Sequence, residues 1–224
     1  MTRYSKYSDI NAVLTKSNNL LSQLEKGYLQ CLHDQNIKDE LLVEIKDLLT
    51  NLRTALDYLS KKIINKNFPI RNSQNDFNKY MSEVESGLSN IFLKYQPFKG
   101  IGWIKNFSAL TNENKHVTLV PQKRVEETRT TVLGSNGGSV SWSSGVYFGN
   151  GISVMGVPID PETQLPIPNN IVKTEKITWV YFYFDNSSIP DIPNNLDALP
   201  FLKDCFEKIK SIITEIENYL HNSQ

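Results

Sequence analysis

Histidine and cysteine are scarce in this chain of 224 residues, which holds three of the first and two of the second. Cys31 and Cys205 form no CxxC pair and both fall within helical patterns, which reads as two buried thiols rather than a disulfide framework. No HxxxH, HxxE or Cys-His cluster occurs, so three ligands at fixed spacing are lacking and no metal or other cofactor is expected. There is no GxSxG elbow and no strand followed by GxxxxGK and a helix, which argues against a serine nucleophile and against a P-loop. Charge of one sign is also missing: 24 Lys plus Arg balance 24 Asp plus Glu, so no global field draws the chain to nucleic acid or to an anionic membrane. No apolar run approaches the ~20 residues a bilayer requires, and the N-terminus lacks a signal-peptide core. The expectation is a soluble, cytoplasmic protein with no membrane partner.

What is present is strong helical periodicity. From Ser8 to Asp34, Ile10, Val13, Leu14, Leu20, Leu21, Leu24, Tyr28 and Leu32 form one apolar stripe. After Asp34-Gln-Asn36 the pattern resumes from Ile37 to Asn65, so the two helices are expected to form an antiparallel hairpin. Phe68-Pro69-Ile70 ends the second helix, because the residue before proline is pushed out of the helical region. A third helix is expected from an N-cap at Ser73 through to Tyr95, and a fourth from Trp103 to Lys115. Beyond His116 the residues become β-branched: Val117 to Val120 and Val125 to Leu133 read as strands, Gly134 to Gly151 as Gly-turn hairpins, and Ile152 to Val157 as another strand. Lys176 to Phe184, in KITWVYFYF, reads as a strand buried on both faces. Leu196 to Tyr219 is a closing helix expected to return to the bundle. The fold class is α+β: a helical bundle over 1–118, an antiparallel β insertion over 119–190 and a returning helix over 191–224, all in one domain.

Arg53 and Asp57 lie four residues apart on one helix face. They read either as an ion pair worth at most ~0.5 kcal/mol or as a guanidinium fork for phosphate steadied by a carboxylate. His116 reads either as a cation favoured at a helix C-terminus or as a general acid–base, with Asn112 one turn before it and Lys115 beside it. His33 and His221 sit at helix ends. Lys115, His116, Lys123, Arg124 and Arg129 with Trp142, Tyr147 and Phe148 make a weaker candidate for single-stranded nucleic acid, interrupted by Glu126 and Glu127.

The order Arg53-Thr-Ala-Leu-Asp-Tyr-Leu-Ser60, Phe68-Pro-Ile70, Gln96-Pro-Phe98 and Leu110-Thr-Asn-Glu-Asn-Lys-His116 resembles an uncharacterised bacterial family that reads R-[ST]-A-L-D-[YH]-L, FPI, QP[YF], L-x-N-x-x-K-H. More distantly, the helical part resembles the HEPN superfamily of toxin–antitoxin and antiviral systems. Active members carry R-x4-6-H, the arginine steadying phosphate and the histidine assisting attack by a 2′-hydroxyl without metal. Arg53 matches the arginine, while Tyr58 stands at the histidine position and, with a pKa near ~10, is a poor base at neutral pH. The resemblance implies an RNA- or nucleotide-phosphate-binding protein of a bacterial defence or stress system. A metal-independent ribonuclease, a homodimer and a partner protein from the same operon are further implied. Arg53, Asp57 and His116 would be catalytic, and Tyr58, Asn112 and Lys115 would hold substrate. The rival expectation is a non-catalytic binding or scaffold module that recognises a protein or small ligand through the Gly-rich β region.

Overall fold

A computed structural model describes residues 7–32, 39–169, 171–187 and 189–222. The chain is mixed α and β, and it divides into two compact units, residues 1–123 with 182–224 and residues 124–181.

The first unit is helical. α1 (Ser8–Cys31) and α2 (Asp39–Ile64) are the two long periodic helices and pack against each other, as the leucine spacing requires. His33 lies outside the described residues. Leu24, Ile45, Leu48, Leu49, Leu52 and Leu56 are fully buried along this seam. α6 (Ala198–Asn222) lies against α1, α2, α4 and α5, the return expected from its isoleucine stripe. Cys31 and Cys205 are buried, unbridged thiols inside this core, and burial pushes the Cys205 thiol far up, which removes it as a nucleophile.

The expected third helix is two helices. α3 (Gln74–Tyr80) starts on Ser73, whose hydroxyl accepts the Asp76 amide at 3.1 Å, but it stops at Met81. α4 (Ser86–Lys94) starts afresh on Glu85, whose carboxylate accepts the Gly87 amide at 2.8 Å and the Leu88 amide at 3.0 Å. The Tyr219 hydroxyl adds a third bond at 2.6 Å, and the three donors hold the Glu85 carboxyl below its usual range. That cap is therefore complete at neutral pH and weakens as pH falls through the carboxylate range. A 3-10 turn at Pro97–Lys99 closes on Gly100, in the left-handed region at φ 79, and leads into α5 (Gly102–His116).

Val117 to Val120 is not a strand. The chain leaves α5 in an irregular segment pinned by Asn114, which donates to the Leu110 carbonyl at 2.9 Å and accepts the Val120 amide at 3.0 Å. Asn114 is 8% exposed, so these bonds form away from water.

The second unit holds most of an antiparallel sheet of order β2-β1-β5, from β1 (Gln122–Gly134), β2 (Ser139–Ser143) and β5 (Val172–Phe184). β1 and β2 form the expected hairpin, with Thr131 opposite Ser141 and Val132 opposite Val140. The Ile152–Val157 stretch is a small hairpin of β3 (Ser153–Val154) and β4 (Val157–Pro158), not one strand. A satellite core of Val132, Trp142, Val154 and Ile159 holds this unit together. β5 differs most from expectation: it is an edge strand, and Lys176 to Trp179 are exposed, while only Phe182 and Phe184 near its end are buried. Among the described residues no helix is long and apolar enough to cross a membrane.

Candidate functional site

The end of α2 and the Phe68-Pro69-Ile70 segment are joined by side chains that the sequence pattern singles out. Arg53 donates through Nε to Asp57 Oδ2 at 3.1 Å and through Nη2 to the Phe68 carbonyl at 3.0 Å. Its Nη2 also lies 3.1 Å from Asp57 Oδ1, so Asp57 does hold the guanidinium. The same carboxylate accepts the Phe68 amide through Oδ1 at 2.9 Å. One ion pair therefore satisfies both backbone groups of Phe68, a residue whose ring is buried at 1% exposure. The pair is half-buried, and two guanidinium nitrogens are committed to protein oxygens.

Gln96 completes the bracket from the other side. It is fully buried; its Nε2 donates to the Pro69 carbonyl at 2.7 Å and to the Phe92 carbonyl at 3.0 Å, and its Oε1 accepts the Arg71 amide at 3.0 Å. Four backbone groups between Phe68 and Arg71 are thus fixed by Arg53, Asp57 and Gln96. The R-x3-D, FPI and QP elements of the sequence are explained by this one construction.

The other expected site residues stand elsewhere. Tyr58 is 41% exposed and takes no part in the bracket. Asn112, Lys115 and His116 are exposed on the last turn of α5. Among the described residues none of those three side chains has a hydrogen-bond or ion-pair partner, so the structure joins Arg53 to Asp57 but neither of them to His116. Of the aromatics of the weaker nucleic-acid candidate Tyr147 is exposed, whereas Trp142 is buried and meets Phe148 edge-on at 5.0 Å. Its cations are partly spent, Lys123 on Asp185 and Arg124 on Glu126.

The bracket instead positions a cleft that the sequence reading did not find. Lys66, Ile70, Arg71, Asn72, Asp76, Lys79 and Tyr80 line a cavity of about 490 Å3, open to solvent. Arg71 stacks over the Tyr80 ring with Cζ 4.0 Å from the centroid, and Lys66 Nζ lies 5.5 Å from it. The Tyr80 hydroxyl donates to the Asn67 carbonyl at 3.0 Å, and Lys66 Nζ donates to the Tyr80 carbonyl at 3.1 Å, so ring and loop hold one another. Lys66 also reaches Glu83 at 3.2 Å. Arg71 has no such partner: its Nε is buried without an acceptor, and among the described residues no carboxylate pairs with its guanidinium.

No family model, curated protein or solved structure matches this chain. Among the described residues there is no group of three His, Cys, Asp or Glu side chains able to hold a metal. What the cleft offers is three cations, Lys66, Lys79 on α3 and Arg71, the last following directly on the bracketed Phe68–Ile70 segment and without a carboxylate partner among the described residues. A signal for it exists in the sequence: residues 61–80 carry Lys61, Lys62, Lys66, Arg71 and Lys79 against Asp76 alone, a local excess that the neutral total conceals.

Proposed function

We propose that this chain is a HEPN-like nucleotide-phosphate-binding protein of a bacterial defence or stress system, holding a phosphate group in the Lys66–Arg71–Lys79 cleft and not cleaving RNA at Arg53. The observation that carries this reading is Arg71, whose guanidinium lies over the Tyr80 ring with Cζ 4.0 Å from the centroid, lines an open cavity and has no carboxylate partner among the described residues. A planar fork held in one orientation loses little rotamer freedom on binding, which is how arginine gains over lysine at phosphates. Lys66 and Lys79 add point charges on the same cavity wall. The Arg53–Asp57 pair supports the reading indirectly, because it spends its donors on fixing the loop that presents Arg71. Its role is that of positioning residues.

Isothermal titration with adenosine 5′-monophosphate tests the proposal. Arg71→Ala is expected to weaken binding at least tenfold, the scale of a lost charge-assisted contact of about 1.4 kcal/mol or more. His116→Ala is expected to leave affinity unchanged, and RNA incubated with the intact protein in chelator is expected to stay whole. Unchanged affinity in Arg71→Ala would remove the phosphate site, and RNA cleavage that His116→Ala abolishes would overturn the proposal in favour of a catalytic role for the α5 terminus.

A further inference from the structure

One carboxylate lines the cationic cleft. Asp76, on the first turn of α3, is exposed; its Oδ2 accepts the Ser73 hydroxyl at 2.7 Å, while no partner for Oδ1 appears among the described residues. In a site for a bare anion this charge only subtracts, since it repels the ligand that Lys66, Arg71 and Lys79 attract. It becomes favourable when the ligand carries hydroxyl donors a few ångströms from its phosphate. Asn72, also exposed on the cavity wall, supplies both a donor and an acceptor to such a group. The cavity of about 490 Å3 is sized for a small organic molecule, whose sites span roughly 300–1,000 Å3, and is larger than an inorganic anion needs.

Resting on the phosphate-binding reading above, we infer that the cleft takes a ribonucleotide 5′-phosphate, with Arg71, Lys66 and Lys79 on the phosphate and Asp76 accepting from the ribose hydroxyls. The base is left outside this recognition. The Tyr80 ring is already engaged by the Arg71 guanidinium at 4.0 Å and the Lys66 ammonium at 5.5 Å, and no other aromatic side chain lines the cavity. A carboxylate that accepts from ribose hydroxyls discriminates ribose from deoxyribose, because removing the 2′-hydroxyl leaves an acceptor unpaired against the phosphate's own charge. The ligand chemistry is the same for a free mononucleotide and for the 5′-phosphorylated end of an RNA.

Titrations of the full chain with adenosine 5′-monophosphate, its 2′-deoxy counterpart, uridine 5′-monophosphate and inorganic phosphate read the inference directly. The adenine and uracil ribonucleotides are expected to bind within about threefold of each other, and the deoxynucleotide about tenfold more weakly. Asp76→Asn keeps the side-chain shape at Ser73 and is expected to shrink the ribose preference below about threefold while inorganic phosphate binds more tightly, as loss of a repelling charge requires. A short RNA with a 5′-phosphate is expected to compete with the mononucleotide, and the same RNA with a 5′-hydroxyl is not. Equal affinity for ribo- and deoxynucleotide, or a preference that survives Asp76→Asn, overturns the ribose contact while leaving the phosphate site standing if Arg71→Ala still weakens every ligand. Equal competition by the 5′-hydroxyl RNA overturns terminal-phosphate recognition. Indifference of all ligands to Arg71→Ala removes the phosphate site itself.

Discussion

Replacing Gln96 with alanine is expected to lower the stability of the helical unit by about 3 kcal/mol. Gln96 has no solvent exposure and makes three hydrogen bonds, to the Pro69 and Phe92 carbonyls and from the Arg71 amide. Truncation strands the Pro69 carbonyl and the Arg71 amide, while the Phe92 carbonyl keeps the Tyr95 amide at 3.2 Å; each stranded group costs about 1–3 kcal/mol, partly recovered where the loop shifts to reach solvent. For a chain of this size the midpoint of thermal unfolding should fall by roughly 6–12 °C. Gln96→Glu separates the contributions, because it keeps an acceptor for the Arg71 amide but loses both donors of Nε2. A loss close to that of alanine is expected from it, measured by differential scanning calorimetry. A melting point within a degree or two of the parent chain would show that the loop is not held by Gln96.

The second such substitution is Asp57→Ala. The carboxylate serves Arg53 Nε, Arg53 Nη2 and the Phe68 amide together, so its removal frees a guanidinium and a buried backbone donor in one step. Side-chain exposures of 26% for Arg53 and 23% for Asp57 let water replace part of what is lost, which discounts the expected cost to about 2 kcal/mol. Asp57→Asn retains an acceptor for Phe68 and is expected to cost about half as much. Both variants should also weaken nucleotide binding several-fold, because the Phe68–Arg71 backbone is the mount on which the Arg71 side chain sits. A general acid–base or phosphate-orienting role would give the opposite signature, with the melting point unmoved and turnover abolished. Melting curves and titrations on the same samples distinguish the two.

Much of the helical architecture is legible in the sequence because burial is periodic there. The stripes of α1, α2 and α6 contain the leucines and isoleucines that are buried, and the amphipathic spacing alone places them. The break between α3 and α4 escapes that reading for a physical reason: Met81, Val84 and Leu88 keep a helical spacing across the gap, and the cap is a glutamate, whose reach to the Gly87 and Leu88 amides no short-range rule marks. β5 misleads in the opposite direction. Its run of Ile177, Trp179, Val180 and Tyr181 looks like a doubly covered strand, yet Ile177 is 49% and Trp179 37% exposed, because apolar composition does not by itself supply a layer to cover either face.

The site divides in the same way. The spacing of Arg53 and Asp57 announces that they meet, and they do. That their purpose is to hold Phe68 requires knowing where the chain goes after α2, and the partner atoms are 11 and 15 residues away. Arg71 belongs to no spacing pattern at all. Its importance comes from the Tyr80 ring beneath it and from the missing carboxylate, both of which are matters of three-dimensional arrangement.

The most direct test is an NMR titration of the isotope-labelled chain with adenosine 5′-monophosphate, following backbone amides and the Arg71 side chain. Shifts are expected to concentrate between Lys66 and Tyr80, with the Arg71 guanidinium resonance moving most and Asn112 to His116 unmoved. Shifts centred on Asn112 to His116 or on Gly134 to Gly151, with Arg71 silent, would contradict a phosphate cleft mounted on the Arg53–Asp57–Gln96 bracket.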